Sequence, residues 1–253
     1  MIYNAYGEPL IKSAYDGKTL SILGDSISTF AGYIPTGNAN YYTGENCDVF
    51  SVNDIWWKKL IDALGMTLVV NESWSGSKVT TTSGDASAGC MTRCQNLGTN
   101  PDVIIVFMGI NDFNTEVDIG SYDGSGAFPT DTTKFREAYA IMLNKILTKY
   151  QNTEVWVCTL PYDEQNGSAG FPEKNGNSVL LATWNQAIRD IANLFGVKVL
   201  EHFKCGLTYQ NMSIYMGDYD SQTLKGLHPN AEGHSLIANN DIRQMDASVT
   251  TRY

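Results

Sequence analysis

The sequence predicts an α/β fold in which a parallel sheet carries helices on both of its faces. Five short apolar runs are continuous rather than alternating, as expected for parallel strands that are covered on both sides. Apolar residues with the 3.6-residue period of an amphipathic helix lie between these runs. Strand and helix therefore alternate along the whole chain, which is typical of a three-layer α/β/α sandwich.

The first half of the chain supplies three predicted strands and one helix. The strands are Thr19–Leu23, Thr67–Asn71 and Asp102–Met108. The helix is predicted from the i, i+3, i+4, i+7 spacing of Trp57, Leu60, Ile61 and Leu64. Gly65 follows directly and is expected to end this helix, because glycine readily adopts the left-handed backbone found at helix C-termini.

The second half supplies two further strands and three helices. The strands are Glu154–Leu160 and Val197–Glu201. Helices are expected over 135–146, over 181–195 before Gly196, and after Asn230. Residues 131–133 (Asp-Thr-Thr) are the candidate N-caps of the first of these helices.

No internal repeat, charge run or low-complexity linker divides the chain, so we expect a single domain over residues 1–253, with residues 1–18 as an N-terminal lead-in. Three connections are long, namely Ala31–Ser51, Phe113–Thr130 and Tyr162–Asn177. Loops of this length in a compact domain commonly carry function. Ligands of open parallel sheets bind at the carboxyl ends of the strands, so the residues that follow each strand form the candidate site.

The composition excludes several classes of protein. With 43% hydrophobic and 17% charged residues, the chain resembles ordinary globular proteins rather than disordered or fibrous ones. The net charge of −10 argues against a nucleic acid or an anionic membrane as the main partner, because both attract basic surfaces. The longest purely apolar stretch, Val103–Met108, is far too short to span a bilayer.

The cysteine and histidine content predicts neither a metal site nor a cofactor. Cys90 and Cys94 are four residues apart, which suits one face of a helix better than a pair of zinc ligands. Cys158 lies in an apolar run and is expected to be a buried, inert thiol. The sequence leaves the oligomeric state, the compartment and any upstream domain open, although abundant Gly, Ser, Thr, Asn and Tyr favour a secreted or surface setting.

Polar residues follow three of the predicted strands. Ser26, in Gly-Asp-Ser after the first strand, can direct its hydroxyl into the crevice and its N–H toward an oxyanion. Gly76 after the second strand can present a bare N–H, and Asn111 after the third can present a side-chain amide. Each residue also fits a simpler structural role, as a helix cap, a turn glycine or a turn asparagine.

A histidine near the C-terminus completes the set. His228 precedes Pro229 and the last predicted helix, which fixes its backbone and leaves its ring free to face the crevice. A single histidine is more often a buried or capping residue than a catalytic one. The functional interpretation therefore depends on the four segments together.

Together these segments resemble the SGNH hydrolase (GDSL esterase and lipase) superfamily, whose four letters correspond here to Ser26, Gly76, Asn111 and His228. The resemblance covers nearly the whole chain and implies a flavodoxin-like fold and a carboxylic ester hydrolase. It implies that Ser26 is the nucleophile and His228 the general base. It also implies an oxyanion hole formed by the N–H groups of Ser26 and Gly76 and the amide of Asn111.

One position departs from the family's pattern. The family usually carries Asp three residues before the histidine, where it orients the imidazole, and here that position is Lys225. An ammonium group cannot accept the histidine N–H, and loss of the orienting carboxylate costs about 10⁴-fold in serine proteases. A backbone carbonyl, or a carboxylate from Asp218, Asp220 or Glu201, is expected to take its place. The remaining alternative is a protein that binds its ligand without turnover.

The loops suggest the kind of ester. Residues 32–42 are rich in Tyr and Asn, and Trp74 lies near Gly76; these side chains can contact a sugar or equally pack on their own scaffold. Residues 113–130 are rich in Gly, Ser and Asp rather than forming an apolar lid, which disfavours a long-chain lipase. We therefore expect a serine esterase that hydrolyses short-chain acyl esters, mainly O-acetyl groups, on a carbohydrate.

Two alternatives stay open. A lysophospholipase or thioesterase would use the same serine–histidine chemistry, whereas a catalytically weak carbohydrate-binding domain would hold a glycan without hydrolysing it. Nucleotide binding is disfavoured because no Gly-x-x-x-x-Gly-Lys-Ser/Thr or Gly-x-Gly-x-x-Gly motif follows a strand. The expected partner is a small-molecule or glycan ester.

Overall fold

Five parallel strands form the centre of the computed structural model, which describes residues 12–81, 89–164 and 170–246. The strands are β1 (Thr19–Gly24), β2 (Thr67–Ser73), β3 (Val103–Phe107), β4 (Glu154–Cys158) and β5 (Lys198–Leu200). They pair in the order β2-β1-β3-β4-β5. All five predicted strands are confirmed, and β3 is buried along its whole length. Part of the predicted lead-in, residues 1–11, lies outside the described residues.

Helices cover both faces of this sheet. They are α1 (Trp56–Leu64), α2 (Cys90–Arg93), α3 (Ile110–Asn114), α4 (Phe135–Lys149), α5 (Leu181–Phe195), α6 (Met212–Tyr215) and α7 (Ala231–Met245). The strand order reverses direction after β2, so right-handed crossovers place α1 on one face and α4 and α5 on the other. In agreement, α1 packs against α7 and α4 packs against α5. The predicted α/β/α layering is therefore confirmed.

The helix ends agree with the sequence-based predictions at Gly65 and Gly196 and differ from them at the start of α4. Gly65 and Gly196 end α1 and α5 in the left-handed conformation, as predicted. The expectation that residues 131–133 cap α4 is wrong, because the N-cap is Lys134 and has no side-chain cap bond. Asp131 instead accepts the backbone N–H of Thr133. The first N–H groups of α4 donate to backbone carbonyls of the preceding long loop, so that loop replaces a side-chain cap.

The reversal of strand order determines where the site lies. The chain passes from β1 to β2 on one side of β1 and then returns to β3 on the other side of β1. A crevice therefore opens between the carboxyl ends of β1 and β3. Ser26 follows β1 and Asn111 follows β3, and both residues therefore lie at this crevice. Among the described residues, no helix is both long enough and apolar enough to cross a membrane. The long connection 162–177 also borders the crevice after β4, although its residues 165–169 lie outside the described part.

Candidate active site

Ser26 and His228 are in contact at the end of β1. The Nε2 atom of His228 lies 2.9 Å from the Oγ atom of Ser26, although 202 residues separate them in the chain. Ser26 begins a single 3₁₀ turn, and its exposed fraction is 3%. The exposed fraction of His228 is 8%. The two side chains therefore form a shielded hydroxyl–imidazole pair.

The turn that carries Ser26 is held from several directions. Asp25 accepts the N–H of Ile27 at 3.1 Å, which caps the turn as expected for this residue. The carbonyl of Ser28 accepts hydrogen bonds from the indole of Trp57 at 2.9 Å and from the amide of Asn71 at 2.7 Å. These bonds connect the turn to α1 and β2, so the serine is presented by a rigid part of the fold.

The glycine before this turn is required by its neighbours. A Cβ atom at Gly24 would lie 2.6 Å from the Oγ atom of Ser73 and 2.7 Å from the side chain of Ser28. Both neighbours are buried, so a larger residue would displace the turn. The Gly-Asp-Ser motif is thus explained by packing and capping as well as by the contact of its serine with His228.

Asp218 orients the imidazole of His228. Its Oδ2 atom lies 2.7 Å from Nδ1 of His228, and its Oδ1 atom accepts the backbone N–H groups of Leu227 and His228, each at 2.9 Å. Burial opposes ionisation of Asp218, but the hydrogen bond and charge of His228 and the two N–H donors outweigh burial and lower its pKa. With Nδ1 donating to a carboxylate, Nε2 is left to accept the Ser26 hydroxyl proton.

The structure distinguishes the alternatives raised by Lys225. Asp218 takes the position of the orienting carboxylate, whereas Asp220 accepts hydrogen bonds from Gln222 and Thr223. Glu201 pairs with Arg189, and its Oε2 atom lies 2.7 Å from a guanidinium nitrogen. These two candidates are therefore engaged elsewhere.

A hairpin places Asp218 beneath the histidine. The N–H of Gly217 donates to the carbonyl of His228 at 2.8 Å, and the N–H of Asp220 donates to the carbonyl of Lys225 at 2.8 Å. The two arms run antiparallel, so Asp218 faces His228 across the hairpin. The acid thus lies ten residues before the base rather than three.

Two tyrosines of the loop 31–51 hold the histidine from its other side. The ring of Tyr41 stacks on the imidazole of His228 with a centroid separation of 3.4 Å and an angle of 12°. Tyr42 is fully buried and donates its hydroxyl to the carbonyl of Pro229 at 2.8 Å. This loop therefore positions the imidazole. The rings of Tyr41 and Tyr42 contact His228 and Pro229 rather than standing free for a ligand.

The sequence-predicted oxyanion donors lie on the loops that follow β2 and β3. Gly76 is exposed and has a φ of +80°, a conformation that favours glycine, and a Cβ atom built there would meet nothing within 4 Å. Asn111 is half-buried, and its Nδ2 atom donates to the carbonyl of Ser77 at 2.9 Å. An amide nitrogen carries two hydrogens, so this bond leaves one donor of Asn111 for a ligand.

Buried carboxyl groups support these loops. Asp112 accepts the N–H groups of Val79 and Thr80 at 2.8 and 2.9 Å, which ties α3 to the loop after β2. Burial raises the pKa of Asp112, although these N–H groups oppose the shift. Burial also raises the pKa of Asp25 to about 7, against the lowering effect of the Ile27 N–H. Both aspartates therefore act as structural supports beside the site.

The remaining polar side chains of the loop 31–51 mostly bind their own scaffold. Asn38 donates to the carbonyl of Ser73 at 3.0 Å, and Asn40 donates to that of Tyr42 at 2.7 Å. Tyr33 is different, because 44% of its surface is exposed. Trp74 is half-buried beside the loop that carries Gly76. Tyr33, Trp74 and Phe50, whose exposed fraction is 69%, are thus among the aromatic side chains of this region that keep surface available to a ligand.

A family model and several solved structures are similar to the chain. The model of the GDSL-like lipase/acylhydrolase family matches residues 18–165. A candidate GDSL-like lipase from Bacteroides ovatus is 28% identical, with a TM-score of 0.67 over 91% of this chain and 98% of that chain. A second one, from Bacteroides uniformis, is also 28% identical, with a TM-score of 0.64 over 90% of this chain and 95% of that chain.

A third structure shares the fold at lower identity. Est24, a carbohydrate acetylesterase from Sinorhizobium meliloti, is 14% identical, with a TM-score of 0.60 over 90% of this chain and 97% of that chain. No protein of curated function matches the chain.

Proposed function

Because the chain belongs to the GDSL-like lipase/acylhydrolase family and is an ester hydrolase, we propose that it is a serine esterase for short-chain acyl esters, mainly O-acetyl groups on a carbohydrate. In this proposal Ser26 is the nucleophile, His228 is the general base and Asp218 orients the imidazole. The N–H groups of Ser26 and Gly76 and the amide of Asn111 form the oxyanion hole.

The observation that carries the proposal is the continuous chain of contacts from Asp218 through His228 to Ser26. Its two links measure 2.7 and 2.9 Å, which are ordinary hydrogen-bond lengths. A nucleophile bonded to a base that is itself oriented by a third group is the arrangement by which hydrolases activate a serine. The lowered pKa of Asp218, to which the hydrogen bond from His228 contributes, keeps this group an anion at neutral pH.

The first chemical step transfers the acyl group to the enzyme. The hydroxyl oxygen of Ser26 attacks the ester carbonyl carbon while Nε2 of His228 takes the hydroxyl proton. The carbonyl oxygen becomes an anion, which the three donors of the oxyanion hole stabilise. The intermediate then breaks its bond to the alcohol oxygen, His228 returns the proton to that oxygen, and an acyl-serine remains.

The second step releases the acid. Water attacks the acyl-serine carbonyl, His228 takes one proton from that water, and the oxyanion hole again stabilises the tetrahedral anion. Collapse of this intermediate breaks the bond to Ser26, whose oxygen recovers the proton from His228. The negative charge of Asp218 stabilises the imidazolium that forms in both steps.

The surroundings of the site favour a small acyl group on a polar carrier. The segment 120–131 is rich in Gly, Ser and Asp, and its one exposed large apolar side chain, Phe128, packs against Phe195 at the end of α5. This segment therefore does not form an apolar lid for a long acyl chain.

Trp74 is half-buried, and its backbone N–H donates to the carbonyl of Gly24 at the end of β1. Tyr33 is exposed and packs against Trp57, whose indole bonds the turn of Ser26. Aromatic surface of this kind suits the apolar face of a sugar ring. The carbohydrate acetylesterase named above shares only the fold with this chain, so the carbohydrate part of the proposal depends on these residues.

A substrate panel tests the proposal. We expect hydrolysis of p-nitrophenyl acetate and release of acetate from acetylated xylan or another acetylated glycan. When the acyl chain is lengthened to eight or more carbons, kcat/KM should fall roughly 10²-fold, because a small pocket discriminates between acyl groups by about 1–3 kcal/mol. A preference for long acyl chains would indicate a lysophospholipase or thioesterase instead. Glycan binding without hydrolysis of p-nitrophenyl acetate would indicate a binding domain and would contradict the proposal.

A further inference from the structure

Arg93 is a buried cation next to the loop that carries Gly76. It ends α2, and its exposed fraction is 2%. Its guanidinium donates to the carbonyl of Gly24 at 3.4 Å, to the carbonyl of Glu72 and to the hydroxyl of Ser77. Gly24 ends β1, Glu72 lies in β2, and Ser77 follows Gly76 in the loop after β2. One side chain therefore connects both strands with the loop.

Ser77 passes this constraint on to the third strand. Its carbonyl accepts the amide of Asn111 at 2.9 Å, while its hydroxyl is held by Arg93. Gly76 precedes Ser77 directly, so the orientation of the Gly76 N–H depends on the same loop. Both donors that lie outside the Ser26 turn are thus fixed through one residue that Arg93 holds.

The helix that carries Arg93 is itself anchored. The thiol of Cys90 lies 3.0 Å from the sulfur of Met142 in α4, and the ammonium of Lys145 donates to the carbonyl of Met91 at 2.9 Å. These contacts join α2 to the helix layer behind the sheet. The guanidinium is a planar fork with five donors in fixed geometry, so an anchored arginine holds several acceptors more rigidly than a lysine can.

We propose that Arg93 is a positioning residue of this esterase, which aligns the Gly76 N–H and the Asn111 amide with the oxyanion through Ser77. This inference rests on the proposed function, because it needs an oxyanion for the donors to meet. The positive charge acts in the same direction, since a cation near the developing anion lowers its energy. The charge of Arg93 also favours the ionised form of Asp25, which is further support that the guanidinium acts on this end of β1.

The test compares Arg93→Lys, which keeps the charge, with Arg93→Met, which keeps most of the volume. We expect Arg93→Lys to lower kcat for p-nitrophenyl acetate about tenfold or more. Arg93→Met should lower kcat by about 10²–10³, which is the loss associated with one oxyanion donor. In both variants KM should change less than about threefold. Inhibition by phenylboronic acid, which forms a tetrahedral adduct on serine, should weaken in parallel. Arg189→Met is the matched control, because Arg189 pairs with Glu201 outside the crevice.

Two further measurements separate positioning from general stability. In an Asn111→Ala background, Arg93→Lys should lower kcat at least threefold less than in the wild type, because the donor it aligns is already absent. Added guanidinium chloride at low millimolar concentration should partly restore kcat in Arg93→Ala, which leaves room for the ion, and leave Arg189→Ala unchanged. If Arg93→Met does not fold, Ser77→Ala carries the test, since it removes the hydroxyl that Arg93 holds and is expected to lower kcat about tenfold.

The outcomes are distinguishable. Turnover by the wild type together with kcat within twofold of wild type in both Arg93→Lys and Ser77→Ala would overturn the positioning role alone. If Arg93→Lys lowers kcat by the same factor in the Asn111→Ala background as in the wild type, the positioning role is overturned as well. A wild-type protein that does not turn over p-nitrophenyl acetate at all would overturn the proposed function, and this inference with it.

Discussion

The imidazole of His228 is bonded to Asp218, which lies ten residues earlier in the chain and faces it across a hairpin. Their Nδ1 and Oδ2 atoms are 2.7 Å apart. This relationship compensates for the lysine that stands three residues before the histidine, because the carboxylate arrives from the other arm of the hairpin. The geometry required by a serine hydrolase is thus met with a different spacing in the sequence.

Replacing Asp218 should reduce turnover sharply. In Asp218→Asn the side-chain oxygen can still accept the N–H groups of Leu227 and His228, but the amide nitrogen then faces Nδ1 and favours the wrong tautomer of the imidazole. We expect kcat to fall by about 10²–10⁴, as for the equivalent change in serine proteases. Steady-state kinetics on p-nitrophenyl acetate measures the effect, and a loss of less than tenfold would contradict the role given to Asp218.

Lys225→Asp is the matched control for that experiment. It restores the family's usual residue at a position where the acceptor is already supplied, so no gain in kcat is expected. An increase of tenfold or more would show that Asp218 is a poor partner of His228 in solution.

The amide of Asn111 should contribute to transition-state stabilisation. Asn111→Ala is expected to lower kcat by about 10²–10³ with little change in KM, because the donor acts on charge that develops only during the reaction. Asn114→Ala, on the same helix, removes an amide that contacts Asp163 instead and should leave kcat within about threefold of wild type. Equal losses in the two variants would argue that α3 is disturbed as a whole.

The stack of Tyr41 on His228 should support catalysis through the ring rather than through the hydroxyl. Aromatic contacts of this kind are worth about 0.5–1.5 kcal/mol, so Tyr41→Ala is expected to lower kcat about three- to tenfold. Tyr41→Phe keeps the ring and should retain nearly full activity. Kinetics of the two variants decides the point, and a larger loss in Tyr41→Phe than in Tyr41→Ala would assign the role to the hydroxyl.

His234 should make the protein less stable in acid. It is fully buried, neither ring nitrogen has a hydrogen-bond partner among the described residues, and burial lowers its pKa to about 3. The unfolded chain, with a histidine pKa of about 6.5, therefore binds more protons than the folded protein between about pH 6.5 and pH 3. The free energy of unfolding contributed by this group falls as the pH falls through that range.

His234→Leu should remove this contribution. Between pH 7.5 and pH 5 we expect the wild type to lose about 2 kcal/mol more of its free energy of unfolding than the variant loses. Urea denaturation at the two pH values measures the difference. The same pH dependence in both proteins would mean that His234 binds a proton as readily in the folded protein as in the unfolded chain.

The parts of the fold that follow local rules were predictable from the sequence. The strands are continuous apolar runs, and Gly65 and Gly196 mark helix ends because few other residues adopt a left-handed backbone. The position of Ser26 and Asn111 at the crevice was predictable because strand ends meet at one edge of a parallel sheet. These inferences need only neighbours in the chain or the general geometry of the sheet.

The parts of the fold and site that depend on pairing between distant segments were not predictable from the sequence. Asp218 was one of several open candidates, because its place opposite His228 depends on hairpin bonds, such as that between Gly217 and His228, that no local pattern specifies. The sequence places Tyr41 in a loop whose side chains can contact a sugar or pack on their own scaffold, and its stack on the imidazole forms only when the fold brings the two segments together. Arg93 carries no sequence signal at all, because its acceptors are mostly backbone carbonyls.

The central claim is that the hydroxyl of Ser26 is activated by His228 to form a covalent bond with its substrate. Labelling with a fluorophosphonate, followed by mass spectrometry of the intact protein and its peptides, tests this claim most directly. We predict a single adduct on Ser26, no adduct in Ser26→Ala and much slower labelling of His228→Ala. Equal labelling of the wild type and Ser26→Ala would contradict it.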